Sequence, residues 1–106
     1  MKRNRNDSLN ANYANQLLED WLLYLNEIKD LSPKTIDSYK RDSKNFIAFL
    51  KTYNAENVSL LSLSNIDIQT VRGWLASLKR KNIKARSAAR MLSSVKSFYY
   101  WLEKNK

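Results

Sequence analysis

The chain contains no cysteine and no histidine, and its 106 residues include a single glycine, Gly73, and a single proline, Pro33. Each shortage removes a class of protein. Without cysteine there is neither a disulfide framework nor a thiol nucleophile. Without histidine as well, the usual transition-metal ligands, the Ser-His pair and the imidazole acid/base are all missing. A β-sandwich or barrel of this length needs many tight turns, and tight turns use Gly and Pro. So little punctuation argues for a few long helices joined by short polar loops. No apolar run approaches the ~20 residues of a membrane span. The basic start, Met1-Lys2-Arg3-Asn4-Arg5, is not followed by the apolar stretch of a secretory signal. The expectation is a cytoplasmic protein with no metal, no cofactor, no membrane contact and no small-molecule substrate.

What is present is apolar surface and positive charge. Apolar residues make up 43% of the chain and charged residues 27%, a globular profile in a length that supports one modest core. Lys and Arg number 19 against 10 Asp and Glu, a formal net charge of +9. Such an excess favours a polyanionic partner, because each phosphate contact releases condensed counterions. The charge is also unevenly placed. From Lys79 onward there are nine basic residues and one acid, Glu103. Over residues 13–30 the sign reverses, with Glu19, Asp20, Glu27 and Asp30 against Lys29 alone. One face for phosphate and another for a different partner is the simplest reading.

Residues 1–11 are polar and Asn-rich and read as a flexible arm, ahead of a single domain over 12–106. A first helix is predicted over 13–29, with Leu17, Leu18, Trp21, Leu22, Leu25 and Ile28 on one buried stripe and Leu23 and Tyr24 beside it. Leu31-Ser32-Pro33-Lys34-Thr35 is a helix start: Ser32 caps, Pro33 takes the first helical position and Leu31 staples onto the new helix. That second helix runs to about 52, with Ile36, Tyr39, Phe46, Ile47 and Leu50 inward, Tyr53 a further candidate, and Lys40, Arg41 and Lys44 outward. Residues 54–65 read as a loop, or a loop around one short turn, with Val58, Leu61 and Leu63 resting on the core. A third helix, capped by Ser64 or Asp67, carries Ile68, Val71, Trp74, Leu75 and Leu78. Gly73 inside it costs roughly 1 kcal/mol relative to Ala and marks a close helix crossing. The last helix spans about 85–104, with Ala88, Leu92, Val95, Phe98 or Tyr99, and Leu102 inward and Met91 and Trp101 at the margins.

The opposite face of that last helix carries Arg86, Ser87, Arg90, Ser93, Ser94, Lys96 and Ser97. Small serines let a helix approach closely while the cations reach phosphates or base edges. The capped start of the second helix is a natural phosphate seat, and the segment 79–84 adds four basic residues in six. Enzymatic readings fare worse. The carboxylates look scattered over solvent faces, there is no Gly-rich phosphate loop, and Tyr39, Tyr99 and Tyr100 lie in or beside apolar stripes. No catalytic residue is assigned.

The motif Leu31-Ser32-Pro33-Lys34-Thr35-Ile36, followed by Tyr39-Lys40-Arg41-Asp42 and by Phe46 to Leu50, resembles the opening of the core-binding domain of tyrosine recombinases. The string from Ser87 to Leu102 is similar to the last core-binding helix of Xer-type recombinases and phage integrases. The resemblance covers nearly the whole chain. It implies an all-α, SAM-like orthogonal bundle of four to five helices forming half of a C-shaped clamp on double-stranded DNA at a recombination half-site. Carried over, Ser32, Thr35 and Arg41 would contact phosphate at the second helix, and Lys84, Arg86, Ser87 and Arg90 at the start of the last. Ser94 and Lys96 are candidates for groove contact. The acidic first helix would face other recombinase protomers. The family's chemistry sits in a second domain with a His-x-x-Arg motif and a tyrosine nucleophile, and a chain without histidine holds no such motif. The chain then reads as an excised domain, a truncated product or a stand-alone relative. A helical protein-interaction module and a truncated regulator of a recombinase remain as alternatives. A helix-turn-helix regulator is disfavoured by the long 54–65 connection.

Overall fold

The computed structural model describes residues 13–54 and 60–105. Five helices follow one another within them: α1 (Tyr13–Glu27), α2 (Pro33–Asn54), α3 (Leu60–Ser64), α4 (Ile68–Arg80) and α5 (Ala85–Asn105). No strand occurs among the described residues. The expected arm at 1–11, Val58 and the Leu61 side chain lie outside them.

The helices begin and end by side-chain chemistry that spares glycine. Ser32 Oγ accepts from the Thr35 backbone N–H at 3.2 Å and donates to Thr35 Oγ1 at 2.9 Å, closing the first turn of α2. Leu31, just ahead of the cap, packs against the core as a staple. At α4 the cap is Asp67, which accepts from the Thr70 backbone N–H at 2.9 Å and from Thr70 Oγ1 at 3.0 Å. Those bonds, the backbone one foremost, hold the Asp67 carboxyl below its ordinary range. After α4, Asn82 takes a left-handed φ of 64°, and the Ile83 N–H reaches Leu78 O at 3.0 Å while Asn82 N–H reaches Lys79 O at 2.9 Å. This is a Schellman stop with asparagine in the position usually held by glycine. Asp30, with a left-handed φ of 53°, also turns the chain after α1, where Leu31 N–H reaches Leu25 O at 3.2 Å. Short polar side chains tolerate that conformation, and among the described residues no glycine takes a left-handed φ.

The core runs through aromatic rings that join elements distant in sequence. Trp21 of α1 stacks on Tyr39 of α2, with centroids 5.7 Å apart, and meets Phe98 of α5 at 5.1 Å. Phe46 of α2 meets Trp74 of α4 edge-on at 4.9 Å and Tyr99 of α5 at 6.2 Å. Each fully buried large side chain of this kind contributes roughly 1.5–3 kcal/mol of transfer free energy. Two of their polar tips bond across helices: Trp74 Nε1 donates to Asn45 Oδ1 at 2.9 Å, and the Tyr99 hydroxyl donates to Leu63 O at 2.8 Å, tying α3 to α5. Burial raises the Tyr99 hydroxyl pKa. At Gly73 a Cβ would stand 3.4 Å from Phe49 Cζ and 3.5 Å from Tyr53 Cε1 of α2, ordinary contact with two ring edges, so the close helix crossing expected there is not found.

Several expectations need correction. α1 stops at Glu27, two residues early, and Ile28 is 70% exposed instead of buried, because the chain is already turning towards Asp30. Tyr53 is half-exposed, its ring lying against Phe49 at 5.3 Å. Part of the 54–65 loop is helix α3, whose Leu63 is buried. Met91 and Trp101 belong to the core, not to its margin. Ser94 is buried, and so is one carboxylate, Asp42.

Candidate nucleic-acid interface

Both corrections about polar residues arise from helical register. Asp42 lies three residues after Tyr39 and four before Phe46, so the winding of α2 turns it towards α5 with the apolar side chains. Ser94 stands three after Met91 and four before Phe98 and is turned inward for the same reason. The two meet where α2 and α5 pack together: Ser94 Oγ donates to Asp42 Oδ2 at 2.9 Å. Arg90, one turn nearer the start of α5, donates from Nη1 to that same oxygen at 2.5 Å. The exposures are unequal. The Asp42 side chain is 1% exposed and that of Arg90 is 50% exposed. A carboxylate taken out of water is compensated by a charged and a neutral donor, and its guanidinium partner stays half in solvent.

This cluster borders an open hollow of about 440 Å³, walled by α2, by the Asn82–Ile83–Lys84 connection and by the first turns of α5. Arg41, Lys84, Ser87 and Arg90 line it together, with Asn45 and Asn82. The residues expected from the sequence therefore divide. Arg41, Lys84, Ser87 and Arg90 converge on one site. Arg86 is exposed on the first turn of α5. Ser32 and Thr35 form the cap at the start of α2, six to nine residues before Arg41 and so about 9–14 Å away along the helix. Ser94 is not available to a groove: it is 1% exposed and its hydroxyl is spent on Asp42. Lys96 lies elsewhere, beside Trp21, Tyr24, Tyr100 and Trp101 in a separate aromatic hollow. Asp42, Asn45 and Asn82 were missed. For Asp42 the signal was available in its position within the Tyr39–Phe46 stripe. For Asn45 and Asn82 only the tertiary packing shows it.

Among the described residues, no group of His, Cys, Asp or Glu could hold a metal ion, and no helix is long and apolar enough to cross a membrane.

Residues 18–106 match the family described as phage integrase, N-terminal SAM-like domain. The chain belongs to this family. Its fold is thus the all-α SAM-like one that the residues resembled. This SAM-like domain is 43% identical over 89 residues to the tyrosine recombinase XerC of Rickettsia prowazekii (strain Madrid E), an alignment covering 84% of the chain and 29% of that relative. It is 40% identical, over the same shares, to the tyrosine recombinase XerC of Rickettsia typhi (strain ATCC VR-144 / Wilmington). The SAM-like domain spans under a third of the length of these curated relatives. No solved structure matches it.

Proposed function

We propose that this chain binds double-stranded DNA as the recognition domain of a tyrosine-type site-specific recombinase, with the hollow between α2 and α5 as its phosphate-facing centre. The observation that carries the reading is the convergence of Arg41, Lys84, Ser87 and Arg90 on that one hollow, in a domain whose relatives are named tyrosine recombinases. Arg41, Lys84 and Arg86 act as phosphate contacts, Ser87 lets α5 approach closely, and Ser32 and Thr35 present the capped start of α2 to a further phosphate. Recognition is assigned to this chain in the cytoplasm, and strand cleavage is not assigned to any of its residues.

The test is a salt titration of binding to a short duplex, followed by fluorescence anisotropy. Affinity falls linearly on a log–log scale, with a slope of about −0.9 for each phosphate neutralised. A flat response would refute the reading. A half-clamp binds weakly, so the slope decides and the absolute affinity does not.

A second contact, to other recombinase protomers, is supported by α1. Leu23 is 56% exposed there and lines a shallow surface with Glu19, Asn26, Pro33, Ile36 and Asp37, acidic where the DNA face is basic. Co-purification with full-length recombinase that survives loss of DNA binding but not Leu23→Asp would place protein contact first.

A further inference from the structure

The buried ion pair needs a reason, because burying one is seldom the cheapest way to stabilise a core. An apolar pair of similar volume is commonly as stable or more so. Asp42 occupies a core-facing position between Tyr39 and Phe46 where a leucine would satisfy the helix pattern equally well. What leucine would not supply is a fixed point for Arg90. We propose that Asp42 is a positioning residue for DNA recognition. Its buried carboxylate, braced by the Ser94 hydroxyl, holds the Arg90 guanidinium at the hollow, where the remaining N–H groups meet a phosphate or base edge as oriented donors. This rests on the DNA-binding reading above and deepens it.

Two features favour positioning over a purely structural pair. The first is the unequal exposure, 1% for Asp42 and 50% for Arg90: the acid is anchored and the base is presented. The second is the geometry of a guanidinium, whose five donors form a rigid planar fork. Fixing Nη1 on Asp42 Oδ2 restricts the direction in which the others project, while the neighbouring Arg41 has only a 3.5 Å bond to the Ser38 hydroxyl to hold it. Paired to a carboxylate, Arg90 adds little net charge to the face, so its contribution is direction.

The consequence is a reversal of sign that charge alone does not produce. Asp42→Asn raises the formal net charge from +9 to +10, and counterion release by itself would leave duplex binding equal or tighter. Positioning predicts the opposite. With the full chain and a labelled mixed-sequence duplex, Asp42→Asn weakens binding by roughly three- to tenfold, as expected for a hydrogen bond to a charged group that has lost its alignment. In an Arg90→Gln background the same substitution has no further effect on affinity. Ser94→Ala, which leaves the ion pair and charge intact, weakens binding by roughly twofold on the same grounds, and it carries the test should Asp42→Asn fail to fold by circular dichroism. Equal or tighter binding by folded Asp42→Asn, an undiminished effect in the Arg90→Gln background, or unchanged affinity in Ser94→Ala would each overturn the proposal. Absence of wild-type duplex binding at low salt would instead overturn the DNA-binding reading, and this proposal with it.

Discussion

The two ends of α5 are both basic, yet they are built differently. At its start, Arg90 is held by a buried acid, and Arg41, Lys84 and Ser87 stand around the same hollow with polar neighbours. Towards its end, Lys96 and Lys104 lie among rings: Trp21, Tyr24, Tyr39, Tyr100 and Trp101 share a hollow with them, and Lys104 Nζ sits 5.0 Å from the Tyr100 ring centroid. A lysine over an exposed tyrosine is covering apolar surface with its stem and keeping its charge in water. Charge density alone would rank the two ends together. The difference is that only one end fixes where a cation points.

Substitutions can break or sharpen that contrast, and the largest effect should come from Arg90. Arg90→Ala leaves Asp42 buried without its cation and is expected to cost about 2–3 kcal/mol in urea unfolding, below the usual range for a broken buried pair because half of Arg90 is solvated. Replacing both partners, Asp42→Leu with Arg90→Met, should restore most of that stability without restoring duplex binding. If stability does not recover, the pair is the fold's own requirement and not a device for the site. Next in size is Ser32→Ala, which removes the cap on α2 and should cost about 1 kcal/mol in the same assay. Arg86→Gln comes third. This exposed arginine should unfold like the wild type, while the salt slope of duplex binding drops by about 0.9 for the one lost phosphate contact. An unchanged slope would remove Arg86 from the interface. The smallest effect is predicted for Lys104→Gln, whose affinity and melting temperature should both stay close to wild type.

Much of the fold was readable in advance because it depends on local chemistry and on period. The Ser32–Pro33 start and the Trp21 and Trp74 anchors follow from residue type and three- or four-residue spacing. What escaped was of two kinds. Ile28 continues the spacing of α1 but falls just past its last residue, Glu27, where the chain is already turning towards Asp30, and no periodicity reveals where a helix unwinds. Asp42 and Ser94 were assigned to the surface because they are polar, although their places in the stripes put them inside. Read by polarity alone, Asp42 and Ser94 each argue for solvent. Only the packing of the two helices, which supplies each with its partner, makes burial affordable. The residues proposed to face DNA divide along the same line: Arg41, Lys84, Ser87 and Arg90 assemble across helices, whereas Lys96, on the same helix as Arg90 but about one and two-thirds turns on, is turned to a different surface.

The most direct test of the account compares two triple variants of equal charge. Arg41→Gln/Lys84→Gln/Arg86→Gln removes three cations from the start of α5 and the facing part of α2. Lys29→Gln/Lys96→Gln/Lys104→Gln removes three from the aromatic hollow at the other end, and both variants carry a formal net charge of +6 where the wild type has +9. Measured by anisotropy against one duplex at one salt concentration, the first should lose nearly all binding and the second should remain within about threefold of wild type, as expected when only the diffuse field of the chain is reduced. Equal losses in the two variants, or a larger loss in the second, would contradict the claim that the α2–α5 hollow is where this domain meets DNA.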